Sequence, residues 1–295
     1  MNQKTNLKNQ KLAWFLLIIL ALIWGSSFIL IKKGLDAFSP GQVGSIRIIF
    51  AFITLLPFGL RHIKSIKKKD WLFLFIVGAV GNFIPYLLFA KAETRLESSL
   101  TGILNALTPV FTMVISMVVF NFRMKPWQIA GLFISLIGSL GISFVNNSGG
   151  FGSMNFYVIF VVIATFCYGI SSSTIKAKLS HIKPVVNASI SLLTVGPIAM
   201  AYLFTTDFTN VVANHPDAFS SLGYLLILGI FGTAIALIFF NKLIYLSSAV
   251  FATSVTYLIP VVAVLWGIFD GEAIYPLHFA GMILIVFGVY KINKT

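Results

Sequence analysis

Long apolar runs alternate with short polar connections along the whole chain. A helix rises 1.5 Å per residue, so about 20 apolar residues cross the hydrocarbon core of a bilayer. Ten runs approach that length, and they lie near residues 12–31, 41–60, 71–90, 98–120, 127–145, 155–175, 186–204, 222–241, 247–268 and 275–291. The pattern predicts an all-α integral membrane protein with ten transmembrane helices.

Composition favours the same class of protein. Hydrophobic residues make up 58% of the 295 positions and charged residues only 10%, whereas soluble domains carry about 25% charged residues. The first run follows a basic start, as in a secretory signal peptide, but its length favours a span that stays in the protein. The single Cys167 excludes an intramolecular disulfide, and the histidines have no metal-site spacing, so we expect no metal and no cofactor.

The net charge of +13 raises the possibility of nucleic-acid binding, which the distribution of the basic residues argues against. If the N-terminus is cytoplasmic, ten spans place 16 Lys and Arg residues inside and 4 outside, with Arg47 left within a span. This asymmetry is the positive-inside signal of a multi-pass membrane protein. It predicts two cytoplasmic termini and no nucleic-acid partner.

The two halves of the sequence resemble each other. "GAVGNF" at 78–83 recurs as "GIFGTA" at 229–234, "PWQIAGLFISLIG" at 126–138 recurs as "PLHFAGMILIVFG" at 276–288, and "WGSS" at 24–27 recurs as "YGIS" at 168–171. Five spans per repeat is an odd number, so the second repeat enters the membrane from the opposite face. We predict two inverted five-helix repeats, 1–146 and 155–295, a linker loop at 147–154, and a substrate site near the midplane between them.

The motifs identify a family. "WGSSF" in the first run, "SIRIIFAF" in the second, "ALTPVFTMVISMV" in the fourth and "YLIPVVAVLWGIFDGEAIYPLHFAGMILIVFG" near the end resemble the EamA family of the drug/metabolite transporter superfamily. The resemblance implies a carrier in the bacterial inner membrane, often an exporter of amino acids or related metabolites, with both termini cytoplasmic. One departure is that Glu272 fits the family's glutamate in the second half, whereas Phe122 occupies the equivalent place in the first half.

Trp24 lies near the middle of the first span rather than at its end, where tryptophans usually anchor helices. Ser27 follows it, and Tyr168 with Ser171 supplies a similar group from the second half. These four residues are candidates for substrate binding. Packing is the alternative, because small polar residues also join membrane helices and a tryptophan N–H needs only one partner.

Arg47 lies within the second span, about six residues from its outer end. A charge inside the membrane is costly and therefore indicates function by default. We consider two interpretations equally: direct binding of a substrate carboxylate, or a bond to backbone carbonyls or to Asp36, Glu93 or Glu97.

Further polar residues at depth complete the predicted site, namely Asn82, Tyr86, Asn105, Thr256 and Tyr257. Prolines at Pro85, Pro109 and Pro260 predict helix kinks, since proline frees a carbonyl of the preceding turn. Because Pro109 and Pro260 match between the halves, the segments before them are candidate pocket walls. Kinks that serve packing alone are the alternative.

No Asp, Glu or His lies at the middle of a span, so the usual proton-relay groups are missing from the core. We therefore predict either uncoupled movement of the substrate or coupling through groups near the outer ends. The candidates for such coupling are Glu93, Glu97 and Glu272, with Asp270 and His278 beside them.

Together the patterns predict a secondary transporter, with export favoured, that moves small metabolites such as amino acids by alternating access. The alternatives are an uptake permease or facilitator for a nucleoside or sugar derivative, a lipid translocator, and a passive channel. An intramembrane enzyme is disfavoured because no nucleophile, base or metal motif is present, so we expect no catalytic residues. The expected partners are the small-molecule substrate and membrane lipid, and the expected state is a monomer or homodimer.

Overall fold

The computed structural model describes residues 3–96, 98–146, 156–269 and 276–293, and these residues form helices joined by short turns, with no β-strand among them. The α-helices in chain order are α1 (Gln3–Gly25), α2 (Ser27–Leu35), α3 (Pro40–His62), α4 (Lys68–Gly78), α5 (Ile84–Glu93), α6 (Ser98–Asn105), α7 (Thr108–Val118), α8 (Pro126–Asn146), α9 (Val158–Lys178), α10 (Pro184–Phe204), α11 (Phe208–Asn214), α12 (Ala218–Gly229), α13 (Ala236–Leu246), α14 (Ala249–Thr253), α15 (Val255–Phe269) and α16 (Pro276–Asn293). The predicted all-helical class is confirmed.

Six helical stretches in the described part of the chain are long and apolar enough to cross a membrane. They are Asn9–Leu35, Pro40–Ser65, Lys68–Glu93, Val158–Lys178, Pro184–Phe204 and Ala218–Leu246. Four shorter apolar helices accompany them, namely Thr108–Val118, Pro126–Gly138, Ala249–Val262 and Phe279–Ile292. The chain is therefore a membrane protein, while the count of ten crossings stays a prediction.

Helix α3 is fixed at its beginning by a capping box. The Ser39 hydroxyl accepts a hydrogen bond from the Gln42 N–H (3.4 Å), and the Gln42 side chain accepts one from the Ser39 N–H (2.9 Å). This exchange satisfies two backbone donors that a helix start leaves free. The Gln42 amide also donates to the Asp207 carboxylate (2.8 Å), so the start of α3 is tied to the second half of the chain.

The helices are interrupted at the segments with small or polar residues. The first run is broken at Ser26, where the hydroxyls of Ser26 and Ser27 donate to carbonyls four residues earlier (2.9 and 2.8 Å), a contact that bends helices. The fourth run is broken before Pro109, which lies in the first turn of α7, and the ninth is broken at Ser254. Pro260 lies inside α15, six residues after that break.

Two π-helical segments, Ala79–Phe83 and Ile230–Ile235, begin at equivalent positions in the two halves. The first lies within the repeated "GAVGNF", and the second extends one residue beyond "GIFGTA". A π turn widens the helix and leaves carbonyls without their usual partners. In each segment a polar side chain bonds the carbonyl five residues earlier, Asn82 to Val77 (3.1 Å) and Thr233 to Leu228 (3.1 Å). The repeat therefore extends to this local distortion.

Helices α8 and α16 cross with their backbones in close contact. A Cβ atom on Gly131 would lie 2.6 Å from the Gly288 carbonyl oxygen, and one on Gly138 would lie 2.8 Å from that of Gly281. The seven-residue spacing of these glycines places them on one helix face, where small side chains permit such an approach. These contacts indicate that the glycines serve helix packing.

Candidate substrate-binding site

A cavity lies between the two halves of the chain. Both halves contribute to its wall. Nine of the ten predicted substrate-binding residues line it: Trp24, Ser27, Arg47, Asn82, Tyr86, Asn105, Tyr168, Ser171 and Thr256. The structure brings these side chains together, while their role in binding stays a prediction.

Tyr257, the tenth residue, lies outside the lining of the cavity. Its side chain is completely buried, and its hydroxyl has no hydrogen-bond partner in the described part of the chain. It packs in an apolar cluster with Leu17 and Leu20 from α1. The sequence predicted its depth in the membrane. Its side chain, however, lies on a face of the helix that packs against other helices and not on the face toward the cavity.

Arg47 is held at the cavity by the second half of the chain. It is 7% exposed and lies seven residues after the start of α3, about 10 Å along the axis. Its Nε donates to the Thr233 hydroxyl (2.7 Å), and Nη2 donates to the Gly232 carbonyl oxygen (3.3 Å). The guanidinium carbon stands 3.8 Å from the centre of the Tyr86 ring. Of the alternatives for Arg47, the bond to a backbone carbonyl is therefore present.

The Arg47 guanidinium has no acidic side chain within salt-bridge distance among the described residues. Asp36, one of its predicted partners, pairs with Lys33 instead (3.6 Å). None of the described side chains that line the cavity is acidic. The two hydrogen bonds offset part of the cost of burying the cation, and they leave further N–H groups as donors for an anion.

Tyr86 is itself fixed by a short hydrogen-bonded chain. Its hydroxyl donates to the Asn82 amide oxygen (3.0 Å), and the Asn82 amide donates to the Val77 carbonyl (3.1 Å). The π segment that carries Asn82 therefore positions the ring beneath the guanidinium. A cation over an aromatic face is attracted by the ring quadrupole.

Trp24 shares an acceptor with Arg47. Its Nε1 donates to the Gly232 carbonyl oxygen (3.1 Å), which also accepts from Nη2 of Arg47. Gly232 lies in the second π segment. Two side chains of the first half, Trp24 and Arg47, thus bind the same carbonyl in the π segment of the second half.

Ser27 and Ser171 lie against equivalent glycines of the opposite halves. A Cβ atom on Gly81 would lie 2.2 Å from the Ser171 hydroxyl, and one on Gly232 would lie 3.1 Å from the Ser27 hydroxyl. These contacts support the packing interpretation of both serines. Since both also line the cavity, packing and exposure to a ligand are combined at the same positions.

The helix breaks of both halves place polar groups at the cavity. Asn105 ends α6, and its amide oxygen accepts from the Thr108 hydroxyl (3.1 Å). Thr256 lies at the start of α15, and its hydroxyl donates to the Thr253 carbonyl (3.0 Å). All four side chains line the cavity, so the segments before Pro109 and Pro260 do contribute to its walls.

Several lining residues were missed by sequence reasoning, among them Phe28, Phe89, Phe240 and Asn241. Phenylalanines carry no signal of their own in a chain with 29 of them. The internal repeat offered a signal for two, because the offset of 151 that relates the π segments also carries Phe89 onto Phe240.

The predicted coupling residues lie away from the cavity or outside the described residues. Glu93 ends α5 and is partly buried, and it is absent from the cavity lining. Glu97, Asp270 and Glu272 lie outside the described residues. The coupling role of these acids stays a prediction.

Pro85, one of the predicted helix kinks, lies in the first turn of α5, directly after the first π segment.

Comparison with known proteins gives one family match and several relatives. The sequence profile of the EamA-like transporter family matches residues 11–144 and again residues 155–294. A transporter of Archaeoglobus fulgidus is 25% identical over 95% of this chain and 98% of its own length. The inner membrane transporter YedA of Escherichia coli K12 is 26% identical over 94% of this chain and 89% of its own length.

Two further comparisons bear on substrate and fold. A protein of Streptantibioticus cattleyicolor named as a probable terminal-alkyne amino-acid exporter is 24% identical over 98% of this chain and 95% of its own length. A crystal structure of a protein that is 17% identical superposes with a TM-score of 0.71 and covers 95% of both chains. The second likeness shows a shared fold.

Proposed function

The chain belongs to the EamA-like transporter family, and from this we propose that it is a secondary carrier for a small carboxylate-bearing metabolite. The family and the relatives are membrane transporters and not enzymes. The proposed substrate class is an amino acid or a related carboxylate, moved by alternating access of the cavity to the two sides of the membrane.

The proposed topology is ten spans in two inverted repeats of five helices. Six long and four shorter apolar helices in the described chain support the number. The two family matches support two repeats, which would occupy residues 1–146 and 155–295 with a linker loop between them. The distribution of Lys and Arg supports cytoplasmic termini.

The observation that carries the substrate class is the buried Arg47 guanidinium at a cavity whose described lining holds no acid. A substrate carboxylate would supply the missing counter-charge and accept from the N–H groups that Thr233 and Gly232 do not use. The same positive potential disfavours a cationic substrate. Aromatic walls at Trp24 and Tyr168 suit an apolar substituent beside the carboxylate.

Export of amino acids is the proposed direction and substrate. It is supported by the relative named as a probable amino-acid exporter, which matches nearly the whole chain at 24% identity. The cavity is consistent with a zwitterion, because the ammonium group would meet neutral acceptors such as the Asn105 amide and the Thr256 hydroxyl.

The test is counterflow in proteoliposomes with matched pairs of solutes, each amino acid beside its carboxamide. We expect saturable counterflow of a carboxylate and roughly tenfold to hundredfold slower flux of its carboxamide, as for loss of a charged hydrogen bond. In Arg47→Gln the preference should disappear. Phe231→Ala, which removes a 53% exposed side chain, is the control for insertion and folding.

A preference that persists in correctly folded Arg47→Gln would refute the role of Arg47. Saturable flux confined to nucleosides or sugars would refute the substrate class. No flux of any soluble solute would favour a lipid translocator.

A further inference from the structure

Two aromatic pairs bridge the halves of the chain at the cavity. The Phe89 and Tyr168 rings are stacked with centroids 5.8 Å apart, and the Trp24 and Phe240 rings lie 5.2 Å apart. Each pair takes one ring from the first half and one from the second. All four side chains line the cavity.

The internal repeat exchanges the two pairs. The offset of 151 carries Phe89 onto Phe240, and the offset of 144 carries Trp24 onto Tyr168. Each phenylalanine stands seven residues after the polar residue of its π segment, Asn82 or Thr233, which is about 10 Å along the helix. The pairs are therefore equivalent by sequence and by position.

The pairs lie toward opposite ends of the helix bundle. Phe89 belongs to an apolar cluster with Val161 near the start of α9. Phe240 is in α13, whose end is joined to the end of α9 by a hydrogen bond from Lys176 to the Ile244 carbonyl (3.0 Å). The 21 residues of α9 span roughly 30 Å. We call these two regions the Val161 end and the Lys176 end.

We propose that the two aromatic pairs are the gates of the carrier, with Phe89 and Tyr168 closing the Val161 end and Trp24 and Phe240 closing the Lys176 end. The opening of these gates by movement of the two halves depends on the carrier function proposed above. Because each pair joins the two halves, rocking of one half against the other separates one pair while the second stays in contact. Apolar rings also exclude water from the cavity until they part.

The Lys176 end carries an additional closure. The Lys176 ammonium donates to the carbonyls of Ile244 and Ser247 and so fastens the end of α9 to the end of α13. The repeat carries Lys32 onto Lys176, yet the Lys32 side chain is exposed at the other end. In this conformation the Lys176 end is therefore fastened more firmly, and the Val161 end opens at lower cost.

The test measures access to the cavity from each side of the membrane. A single cysteine is introduced as Ser171→Cys in a Cys167→Ala background, and a membrane-impermeant maleimide is added to right-side-out or inside-out vesicles. We expect Phe89→Ala to raise the labelling rate from one side by roughly fivefold, as for loss of an aromatic pair. We expect Phe240→Ala to raise it from the opposite side only.

Two controls separate gating from misfolding. Phe89→Tyr and Phe240→Tyr keep a ring at each gate and should label like the parent protein. Phe231→Ala removes an exposed ring from the second π segment and should also leave labelling unchanged.

The proposal is overturned if both alanine variants open the same side, if either opens both sides equally, or if neither changes labelling. The labelling readout needs no substrate. If counterflow of carboxylates is absent while the two alanine variants label from opposite sides, the proposed substrate class is rejected and the gates are retained. With cytoplasmic termini, Phe89→Ala should be the variant that labels from outside. The reverse pattern would overturn the proposed orientation and leave the gates in place.

Discussion

Removing the Thr233 hydroxyl tests whether Arg47 acts as a positioned cation or only as a charge. The hydroxyl accepts from Arg47 Nε at 2.7 Å and donates to the Leu228 carbonyl at 3.1 Å. Thr233→Val keeps the volume and the branched shape of the side chain while it deletes both bonds. The cation stays in place, but one of its two fixed contacts with the second half is gone.

The expected magnitude follows from the charged hydrogen bond. Such bonds contribute about 1.5–3 kcal/mol, which corresponds to roughly tenfold to hundredfold in rate or affinity. Nη2 of Arg47 keeps its bond to Gly232, and water in the cavity can replace part of the lost contact. We therefore expect the lower limit, a loss of about tenfold in the specificity constant for a carboxylate substrate.

The assay is initial-rate counterflow of an amino acid and of its carboxamide, measured side by side. Thr54→Val is the matched control, because in the described part of the chain the Thr54 hydroxyl bonds only the Phe50 carbonyl of its own helix (2.7 Å). We expect Thr233→Val to slow the amino acid far more than the carboxamide, since only the carboxylate depends on the orientation of Arg47. Thr54→Val should leave both rates unchanged.

Two results would refute this reasoning. If Thr233→Val transports the amino acid at the parental rate, the orientation of Arg47 is unimportant. If both solutes slow equally, the hydroxyl acts through its bond to Leu228 and the shape of the π segment, not through Arg47.

Two further predictions concern stability, measured as the thermal unfolding midpoint in detergent. Gly288→Ala should lower the midpoint by an overpacking cost of about 1–3 kcal/mol, because its Cβ would lie 2.4 Å from the Gly131 carbonyl oxygen. Gly223→Ala, with nothing within 4 Å of the added atom, is the control and should not lower it. His181→Ala should also lower it, since the ring bonds the buried Asp70 carboxylate (3.0 Å); Asp70→Asn in the same protein should recover part of the loss. An unchanged midpoint would refute either prediction.

The positions of the helices could be predicted because the bilayer sets both their length and their composition. The run predicted at 41–60 corresponds to α3 (Pro40–His62), and the run at 186–204 corresponds to α10 (Pro184–Phe204). Polar residues and prolines mark the ends closely. The short connections leave little room for error, since they hold most of the charged residues.

The π segments could not be predicted, because an α turn and a π turn are built from the same apolar residues. The difference lies in where the displaced carbonyls find partners, and Asn82 and Thr233 supply those partners in the folded chain. The repeat of the glycine motif marked the right place in both halves without indicating its conformation. Only the equivalence of the two places was visible in the sequence.

For the cavity, the sequence predicted how deep a residue lies in the membrane but not toward which neighbour its side chain points. Nine of the residues that line the cavity were predicted from their positions inside the spans, because position along a helix gives depth in the membrane. Depth does not determine which face of a helix a residue occupies. The prediction that Tyr257 lines the cavity was therefore wrong, and its side chain packs in the apolar core instead. The partners of Arg47 were also hidden, since Thr233 lies 186 residues away in the other half.

The two halves share their helix distortions and packing contacts, but they differ in the polar side chains that they place at the cavity. The π segments, the glycine contacts and the aromatic pairs all have counterparts in both halves, as alternation between two equivalent states requires. The offset of 144 carries Arg47 onto Ser191, and the offset of 151 carries Tyr86 onto Leu237. Among the described residues that line the cavity, the first half alone therefore supplies a cation with a ring beneath it. In the proposed carrier, one recognition element would serve both states, because the substrate would occupy a single cavity in each. The repeat is thus kept at the proposed gates and lost at the cation that is proposed to bind the substrate.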